Sequence, residues 1–201
     1  MHLPTYCPDS EILPSALSMK TAFPQRIPYP ECSEQEAGVY GTLTNGQRIA
    51  GLLPPAVRTG MQALSGALLR DGALPPALRE MIIVRVGYRT ANHYEVDQHG
   101  SLAERVGVPH NKLLALACIH PSGLSEGERA AIAYVDALLT EYEPDDATLQ
   151  AVRSHFSDGE VLEMVFVTGM WWTLSRMLAT AGIPSDSRKI GEQGVFTEVH
   201  P

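Results

Sequence analysis

Two ionisable residues, Glu95 and His99, lie four residues apart in the stretch HYEVDQH. A helix turns about 100° per residue, so both side chains fall on one face. That face is otherwise apolar and continues with Leu102, Ala103 and Val106. A charge on a core-facing stripe is costly unless it is paired, hydrogen-bonded or placed against a cavity. An acid–base pair at a cavity is therefore one explanation of this pattern.

A third candidate, Glu80, stands beside the apolar run 81–84 in the preceding segment. Apolar surroundings raise the pKa of a carboxyl group toward neutral pH, as proton transfer requires. A break is expected at 90–92. If the second helix folds back there, Glu80, Glu95 and His99 meet in one pocket, and two carboxylates with an imidazole suffice for acid–base chemistry.

The same residues also have structural explanations, which the pattern alone leaves open. Asn92 precedes Glu95 by three residues, the spacing of a capping box in which each side chain binds the other's backbone N–H. A core histidine bound to a backbone carbonyl would account for His99. An ion pair at the start of its helix would account for Glu80.

A metal site and the common catalytic templates lack support in the sequence. Glu95 and His99 form one edge of a carboxylate–histidine site, but a metal needs more ligands, and His93 and Asp97 point away from the His99 face. The chain has no G-x-S-x-G elbow, phosphate loop, dinucleotide fingerprint or H-E-x-x-H motif. We therefore predict no metal, and no hydrolase, kinase, dehydrogenase or zincin activity.

The elements that must position these residues are helices. S-x-x-E capping boxes at 125–128 and 157–160 mark two helix starts, and Gly-then-Pro pairs at 107–109 and 182–184 mark helix ends. The body shows no useful strand alternation, which predicts an all-α protein. The expected helices span 47–70, 76–90, 92–106, 110–118, 126–142, 145–155 and 158–181.

The chain has 201 residues and 44% hydrophobic content, enough for one core. We expect a Pro-rich arm over 1–46, which could wrap a neighbouring subunit, a helical domain over 47–183 and a tail over 184–201. The net charge of -8 disfavours nucleic acid and anionic membrane surfaces as partners. The longest apolar segment contains Glu163 and Arg176, so no membrane span is expected.

The cysteines and the N-terminal sequence indicate the cellular compartment of the protein. The three cysteines, Cys7, Cys32 and Cys118, are widely spaced and form no C-x-x-C pair, so neither a disulfide framework nor a thiolate zinc site is expected. The N-terminus lacks the basic start and apolar core of a secretory signal. These features predict a cytoplasmic protein.

The stretch LPPALREMIIVRVGYRTANHYEVDQHGSLAERVGV resembles the signature helix pair of the carboxymuconolactone decarboxylase family, and the resemblance extends more weakly over 47–183. This family is related to the alkylhydroperoxidase D-like enzymes. The resemblance implies an all-α, alkylhydroperoxidase D-like helical bundle. It also implies a homo-oligomer, a trimer or a multiple of one, with the site near a subunit interface. The abundant Ala, Leu and Met helix surface agrees with oligomerisation.

The thiol-peroxidase branch of these proteins has a glutamate on the first helix and C-x-x-C-x-x-x-H on the second. At the matching positions this chain has Glu80, Asn92, Glu95 and His99, so both thiols are missing. Thiol peroxidase chemistry needs an attacking thiolate and a resolving thiol. This chain is therefore not expected to run that reaction, and Cys118 has no partner at motif spacing.

The decarboxylase branch is similar in its YExxxH form, here Tyr94, Glu95 and His99. The resemblance implies cofactor-free decarboxylation of a small unsaturated lactone acid. His99 would be the general acid or base, Glu95 would fix its tautomer and orientation, and Glu80 would support the network by a hydrogen bond. The substrate-binding candidates are Tyr94, Asn92, Arg85, Arg89 and Trp171.

The leading functional hypothesis is thus a cofactor-free lyase that acts on a small carboxylated lactone or keto compound. The alternatives are a non-redox ligand-binding or scaffolding homo-oligomer of the same fold and, third, a peroxidase working through Cys118. The motif departs from the commoner AEYEWxxH sequence at Asn92, His93 and Val96. An aromatic side chain at the position of Val96 would narrow the pocket, so its absence indicates a different or larger ligand.

Overall fold

The computed structural model describes residues 12–19, 24–33, 37–141 and 143–186. Within these ranges the chain forms helices and one isolated backbone bridge between Ile12 and Cys118. The helices are α1 Pro14–Leu17, α2 Ala37–Tyr40, α3 Asn45–Ala50, α4 Pro55–Arg70, α5 Pro76–Arg89, α6 His93–Arg105, α7 His110–Ala115, α8 Glu126–Thr140, α9 Asp146–Arg153 and α10 Asp158–Ala181.

Six of the seven predicted helices are present with ends within a few residues of those expected. Ser125 and Ser157 form the two predicted capping boxes at the starts of α8 and α10. Gly182 ends α10 in the left-handed region, at φ 68°, a conformation that favours glycine. The local capping signals therefore located these helix ends correctly.

The predicted helix over 47–70 is two helices, α3 and α4, separated by a turn at 51–54. Proline lacks a backbone N–H and clashes with the preceding turn, so it is tolerated only in the first turn of a helix. Pro54 is the N-cap of α4 and Pro55 its first residue. The adjacent prolines in GLLPPAV thus mark a helix start inside the predicted segment.

Helix α5 is the centre of the bundle. It contacts α1, α6, α8 and α10, and its residues 78–88 are all buried. The apolar run 81–84 beside Glu80 is at most 1% exposed. Within the described ranges, no helix is both long and apolar enough to cross a bilayer.

The turn between α5 and α6 folds the second helix back on the first, as expected. Ala91 adopts a positive φ of 53° there, and the Asn92 backbone N–H donates to the Gly87 carbonyl at 2.9 Å. A Cβ on Gly87 would lie 2.8 Å from Val96 Cγ2, closer than carbon atoms can pack. Glycine at this position allows the two helices to approach and brings their polar residues together.

The described part of the Pro-rich arm packs against its own chain. Leu13 and Ala16 belong to the hydrophobic core, and the Leu13 backbone N–H donates to the Ala117 carbonyl at 2.9 Å. Cys118 is disulfide-bonded, contrary to the expectation from cysteine spacing, which cannot show what tertiary structure brings together. The cytoplasmic prediction loses the support it drew from unpaired cysteines. Cys7 and most of the predicted tail lie outside the described residues.

Candidate active site

A chain of buried polar side chains centres on His99. Its Nδ1 lies 2.7 Å from Oε2 of Glu80, and the other oxygen of Glu80 accepts hydrogen bonds from the Arg79 guanidinium at 3.2 Å. Its Nε2 accepts the indole N–H of Trp171 at 2.9 Å and lies 3.6 Å from Oε2 of Glu95. All five residues are at most 7% exposed.

Three helices supply this network. Glu80 comes from α5, Glu95 and His99 from α6, and Trp171 from the middle of α10. The Asn92 side chain accepts the Glu95 backbone N–H at 3.3 Å and so caps α6, as the capping interpretation predicted. The Glu95 carboxylate is directed to His99, so capping alone does not explain this residue.

The partners of His99 define its tautomer. An indole N–H only donates, so Nε2 carries a lone pair toward Trp171. The ring proton of the neutral imidazole then sits on Nδ1 and points to Glu80. Glu80, and not Glu95 as expected, therefore holds the tautomer and orientation of the ring.

Burial and neighbouring charges shift the proton affinities of the pair. Burial raises the pKa of Glu95 to about 7, while the charge of His99 lowers it and that of Glu80 raises it. Burial lowers the pKa of His99, but the charge and hydrogen bond of Glu80 raise it by more, so it lies above the ordinary value. The pKa of each group is therefore raised above its ordinary value, and the two side chains lie close enough to share a proton.

A cavity of about 320 Å³ opens beside Glu95 and His99, at the lower end of ligand-pocket volumes, roughly 300–1,000 Å³. Glu80 is not among its described lining residues. The hydrogen-bonded relay that runs from Glu80 through His99 therefore contacts the cavity only at its His99 end. The buried end has Glu95, His99 and Trp171, whereas Gln62 and Arg70 on α4 are exposed. The described lining residues are Thr44, Gly46, Gln47, Ala50, Met61, Gln62, Ser65, Gly66, Leu69, Arg70, Tyr94, Glu95, His99, Trp171, Leu174, Met177 and Leu178.

Two of the predicted substrate-binding residues line this cavity. Trp171 forms part of its buried end. Tyr94 contributes to the wall, but its hydroxyl donates to Asp186 at 2.7 Å and accepts the Gly46 N–H at 3.0 Å. Burial raises the pKa of Tyr94, and the charge of Asp186 adds to the shift. The Tyr94 hydroxyl thus joins α6, α3 and the segment that follows α10.

The structure places Asn92, Arg85 and Arg89 away from the cavity. Besides capping α6, the Asn92 side-chain amide donates to the Ser175 carbonyl at 2.9 Å. Arg85 is fully buried, and its Nε and the Nε of Arg89 each donate to Asp136 on α8 at 2.8 Å. Both arginines are therefore occupied by a structural ion pair, which sequence could not show because Asp136 is distant along the chain.

Sequence reasoning missed Arg70, the lining residue that carries a permanent positive charge. Its place at the last position of α4 is typical of a cation that complements a helix C-terminus, so nothing local indicated a cavity. Val106, expected on the buried stripe, is 42% exposed because α6 ends at Arg105. Within the described ranges, no cluster of three or more His, Cys, Asp or Glu side chains could hold a metal ion.

Comparison with solved structures identifies the architecture. The chain superposes with a TM-score of 0.71 on an alkylhydroperoxidase AhpD core protein, an uncharacterized peroxidase-related protein from Ralstonia eutropha JMP134, at 22% identity over 83% of this chain and 95% of that one. A peroxidase-related protein from Silicibacter sp. TM1040 gives 0.71 at 17% identity, covering 87% and 97%. A cysteine-to-alanine variant of the debrominase Bmp8, in complex with 2,3,4-tribromopyrrole, gives 0.68 at 19% identity, covering 82% and 94%.

These likenesses define an all-α, AhpD-like fold. The model of the Carboxymuconolactone decarboxylase family matches residues 55–137, from α4 into α8, and so includes Glu80, Glu95 and His99. This part of the chain is therefore similar to the carboxymuconolactone decarboxylase family, and the fold of the chain is AhpD-like. No match was found among curated proteins.

Proposed function

We propose that the protein is a cofactor-free lyase that transfers a proton to a small carboxylated lactone or keto compound through Glu95 and His99. The observation that carries the proposal is the buried relay from Glu80 through His99, which meets a ligand-sized cavity only where Glu95 and His99 line it. Two carboxylates flanking one imidazole form an acid–base apparatus. The match of residues 55–137 to the carboxymuconolactone decarboxylase family supports the same class of chemistry.

The proposed reaction is a decarboxylation assisted by a nearby acid. The bond to the carboxylate carbon breaks, carbon dioxide leaves, and the electron pair spreads into the conjugated carbonyl. The protonated Glu95 carboxyl then delivers its proton to carbon, which restores the saturated centre. The resulting Glu95 carboxylate lies beside Nε2 of His99. A proton taken up from solvent by the imidazole stabilises the carboxylate and then passes to it, which restores the Glu95 carboxyl group.

Glu80 has a positioning role in this scheme. Its hydrogen bond to Nδ1 keeps the Nε2 edge of His99 toward Glu95 and Trp171. Its negative charge also favours the imidazolium that forms when His99 takes up a proton. Arg79 balances this charge by donating to the other oxygen of Glu80.

Thiol peroxidase chemistry receives no support from the described cavity. None of its lining residues is a cysteine, and Glu95 occupies a position where the peroxidase branch has a thiol. Cys118 is 3% exposed and disulfide-bonded, so it does not offer a thiolate. The peroxidase-related and debrominase structures therefore share the fold, while the proton-transfer residues favour a different reaction here.

We also propose that the protein forms a homo-oligomer through α10 and α4. Large apolar side chains are exposed on α10, including Leu162 at 62% and Phe166 at 59%, with Leu64 of α4 at 40%. Leu64 and Phe166 line one shallow recess. Contiguous exposed apolar surface of this kind is typical of subunit interfaces.

A substrate screen separates the lyase from a non-enzymatic ligand-binding protein. Lactone and keto acids that raise the melting temperature are incubated with the wild type and with Glu95→Gln, and carbon dioxide and products are measured by mass spectrometry. A lyase consumes a stabilising compound, and Glu95→Gln binds it without turnover while its helical circular dichroism is unchanged. Binding without consumption by either protein would favour the ligand-binding alternative.

A further inference from the structure

Arg70 lines the same cavity as Glu95 and His99 but is exposed. It is the last residue of α4 and is exposed, whereas Glu95 and His99 are at most 3% exposed. Among the described residues, no hydrogen bond or ion pair involves the Arg70 side chain. Its guanidinium therefore faces the cavity with its donors available.

The Arg70 guanidinium lies over Gly66 of the same helix. Gly66 precedes Arg70 by one turn, and a Cβ built on Gly66 would lie 2.7 Å from Nη2 and 2.8 Å from Nη1. A real side chain there would displace the guanidinium. The absence of a side chain at Gly66 thus leaves the space that the Arg70 guanidinium occupies.

The residues of the cavity that carry charge differ in burial. Glu95, His99 and Arg70 are the residues in the described lining that can carry a charge near neutral pH. The first two lie at the buried end, and Arg70 lies with Gln62 and Ser65 on α4. Apolar side chains make up much of the remaining lining, among them Met61, Leu69 and Leu174. A ligand that filled this space would meet both a cation and the proton-transfer pair.

We propose that Arg70 is the substrate-binding residue that selects anionic ligands, and that it does so by a two-pronged hydrogen bond to a carboxylate. The planar guanidinium matches a carboxylate in shape and charge. The binding site stands on these contacts alone. Its use in orienting a substrate toward Glu95 rests on the proposed lyase function.

Arg70 takes the substrate-binding role that the sequence led us to expect of Arg85 and Arg89. Those guanidiniums bind Asp136 and are not among the described lining residues of the cavity. Arg70 lines the cavity. Selection of anions by the cavity is therefore assigned to α4, outside the signature helix pair.

The test compares a charged probe with a neutral one of the same shape. Benzoate and benzamide are titrated at pH 6 into the wild type, Arg70→Gln and Gly66→Ala, with binding followed by protein NMR shifts. Arg176→Gln is the charge-matched control, because Arg176 lies over the Trp172 ring and is not among the described lining residues. The same titrations are repeated in the Glu95→Gln background, where the proposed chemistry is absent.

We expect the dissociation constant of benzoate to rise about tenfold in Arg70→Gln, with benzamide binding and Arg176→Gln unchanged. Gly66→Ala should also weaken benzoate binding, because the added methyl group displaces the guanidinium while the charge remains. Benzoate binding that equals benzamide binding in the wild type, or that survives in Arg70→Gln, would overturn the proposal. A charge preference that persists in Glu95→Gln, with no turnover of any substrate by the wild type, would leave the anion site standing and reject the lyase.

Discussion

Trp171 donates its indole N–H to Nε2 of His99 at 2.9 Å, with the two ring planes at 89°. This contact favours the neutral imidazole, because a protonated Nε2 could not accept it. It leaves Glu95 as the group that presents a proton to the cavity while His99 is neutral. Trp171 thus sets which member of the Glu95 and His99 pair holds the shared proton.

Replacing Trp171 with Phe should raise the pKa of His99 further, because the neutral ring loses a hydrogen bond that the charged ring never had. The ¹⁵N shifts of the imidazole, followed against pH, measure this directly. Trp172→Phe is the matched control, since Trp172 is 42% exposed and is not among the described lining residues. A lower or unchanged pKa in Trp171→Phe would contradict the assigned tautomer.

Replacing Glu80 with Gln should destabilise the protein and impair turnover together. The variant leaves the Arg79 guanidinium, 7% exposed, without its carboxylate, and removing one partner of a buried ion pair costs about 3–5 kcal/mol. The pKa of His99 should also fall, because the charge that raises it is gone. Urea unfolding measures the first effect and imidazole NMR the second.

The matched control for Glu80 is Glu141→Gln, which removes the same charge from an exposed site at the end of α8. Its free energy of unfolding should stay close to that of the wild type. If Glu80→Gln were as stable as this control and His99 titrated unchanged, the proposed positioning role of Glu80 would be rejected.

The stability of the wild type should fall as pH rises through the titration of Glu95. Its pKa is about 7 in the folded protein against an ordinary 4.5, so the contribution is full below 4.5 and is lost as pH passes 7. At about 1.4 kcal/mol per pKa unit, the change is about 3 kcal/mol. The raised pKa of His99 acts in the same direction.

Urea unfolding at pH 5 and pH 8 tests this pH dependence. Glu95→Gln should show a weaker loss between the two values, because its buried amide does not ionise. Parallel losses in the variant and the wild type would show that Glu95 is not the group responsible.

Much of the fold could be predicted because its signals are local. The capping boxes at Ser125 and Ser157 located helix starts, and Gly182 located the end of α10. The break before α4 also has a local signal, the pair Pro54 and Pro55. The prediction of one helix over 47–70 gave more weight to the apolar pattern, which continues across these prolines. Helix periodicity alone therefore merged two elements that the prolines separate.

Sequence could predict only the part of the site that lies on the helix pair α5 and α6. Glu80, Glu95 and His99 lie on α5 and α6, and their meeting followed from the turn between these helices. The donor from Trp171 and the cation of Arg70 come from α10 and α4, whose placement depends on tertiary packing. For the same reason Asp136, the partner that occupies Arg85, could not be anticipated.

Introducing a charge at Phe166 should dissociate the proposed oligomer. Phe166→Glu places a carboxylate on the exposed apolar face of α10, and a buried unpaired charge is strongly unfavourable at an interface. Sedimentation should show a smaller species than the wild type. Val39→Glu is the control, because Val39 is 69% exposed on α2 and does not line this recess. A wild type that sediments as a monomer would reject the interface.

The central claim is that Glu95 holds a proton at the cavity near neutral pH. It is tested most directly by ¹³C NMR of the glutamate carboxyl groups, with the Glu95 signal assigned by its loss in Glu95→Gln. We expect this signal to titrate near pH 7, well above the ordinary value. A Glu95 signal that titrates near 4.5, the ordinary value, would contradict it.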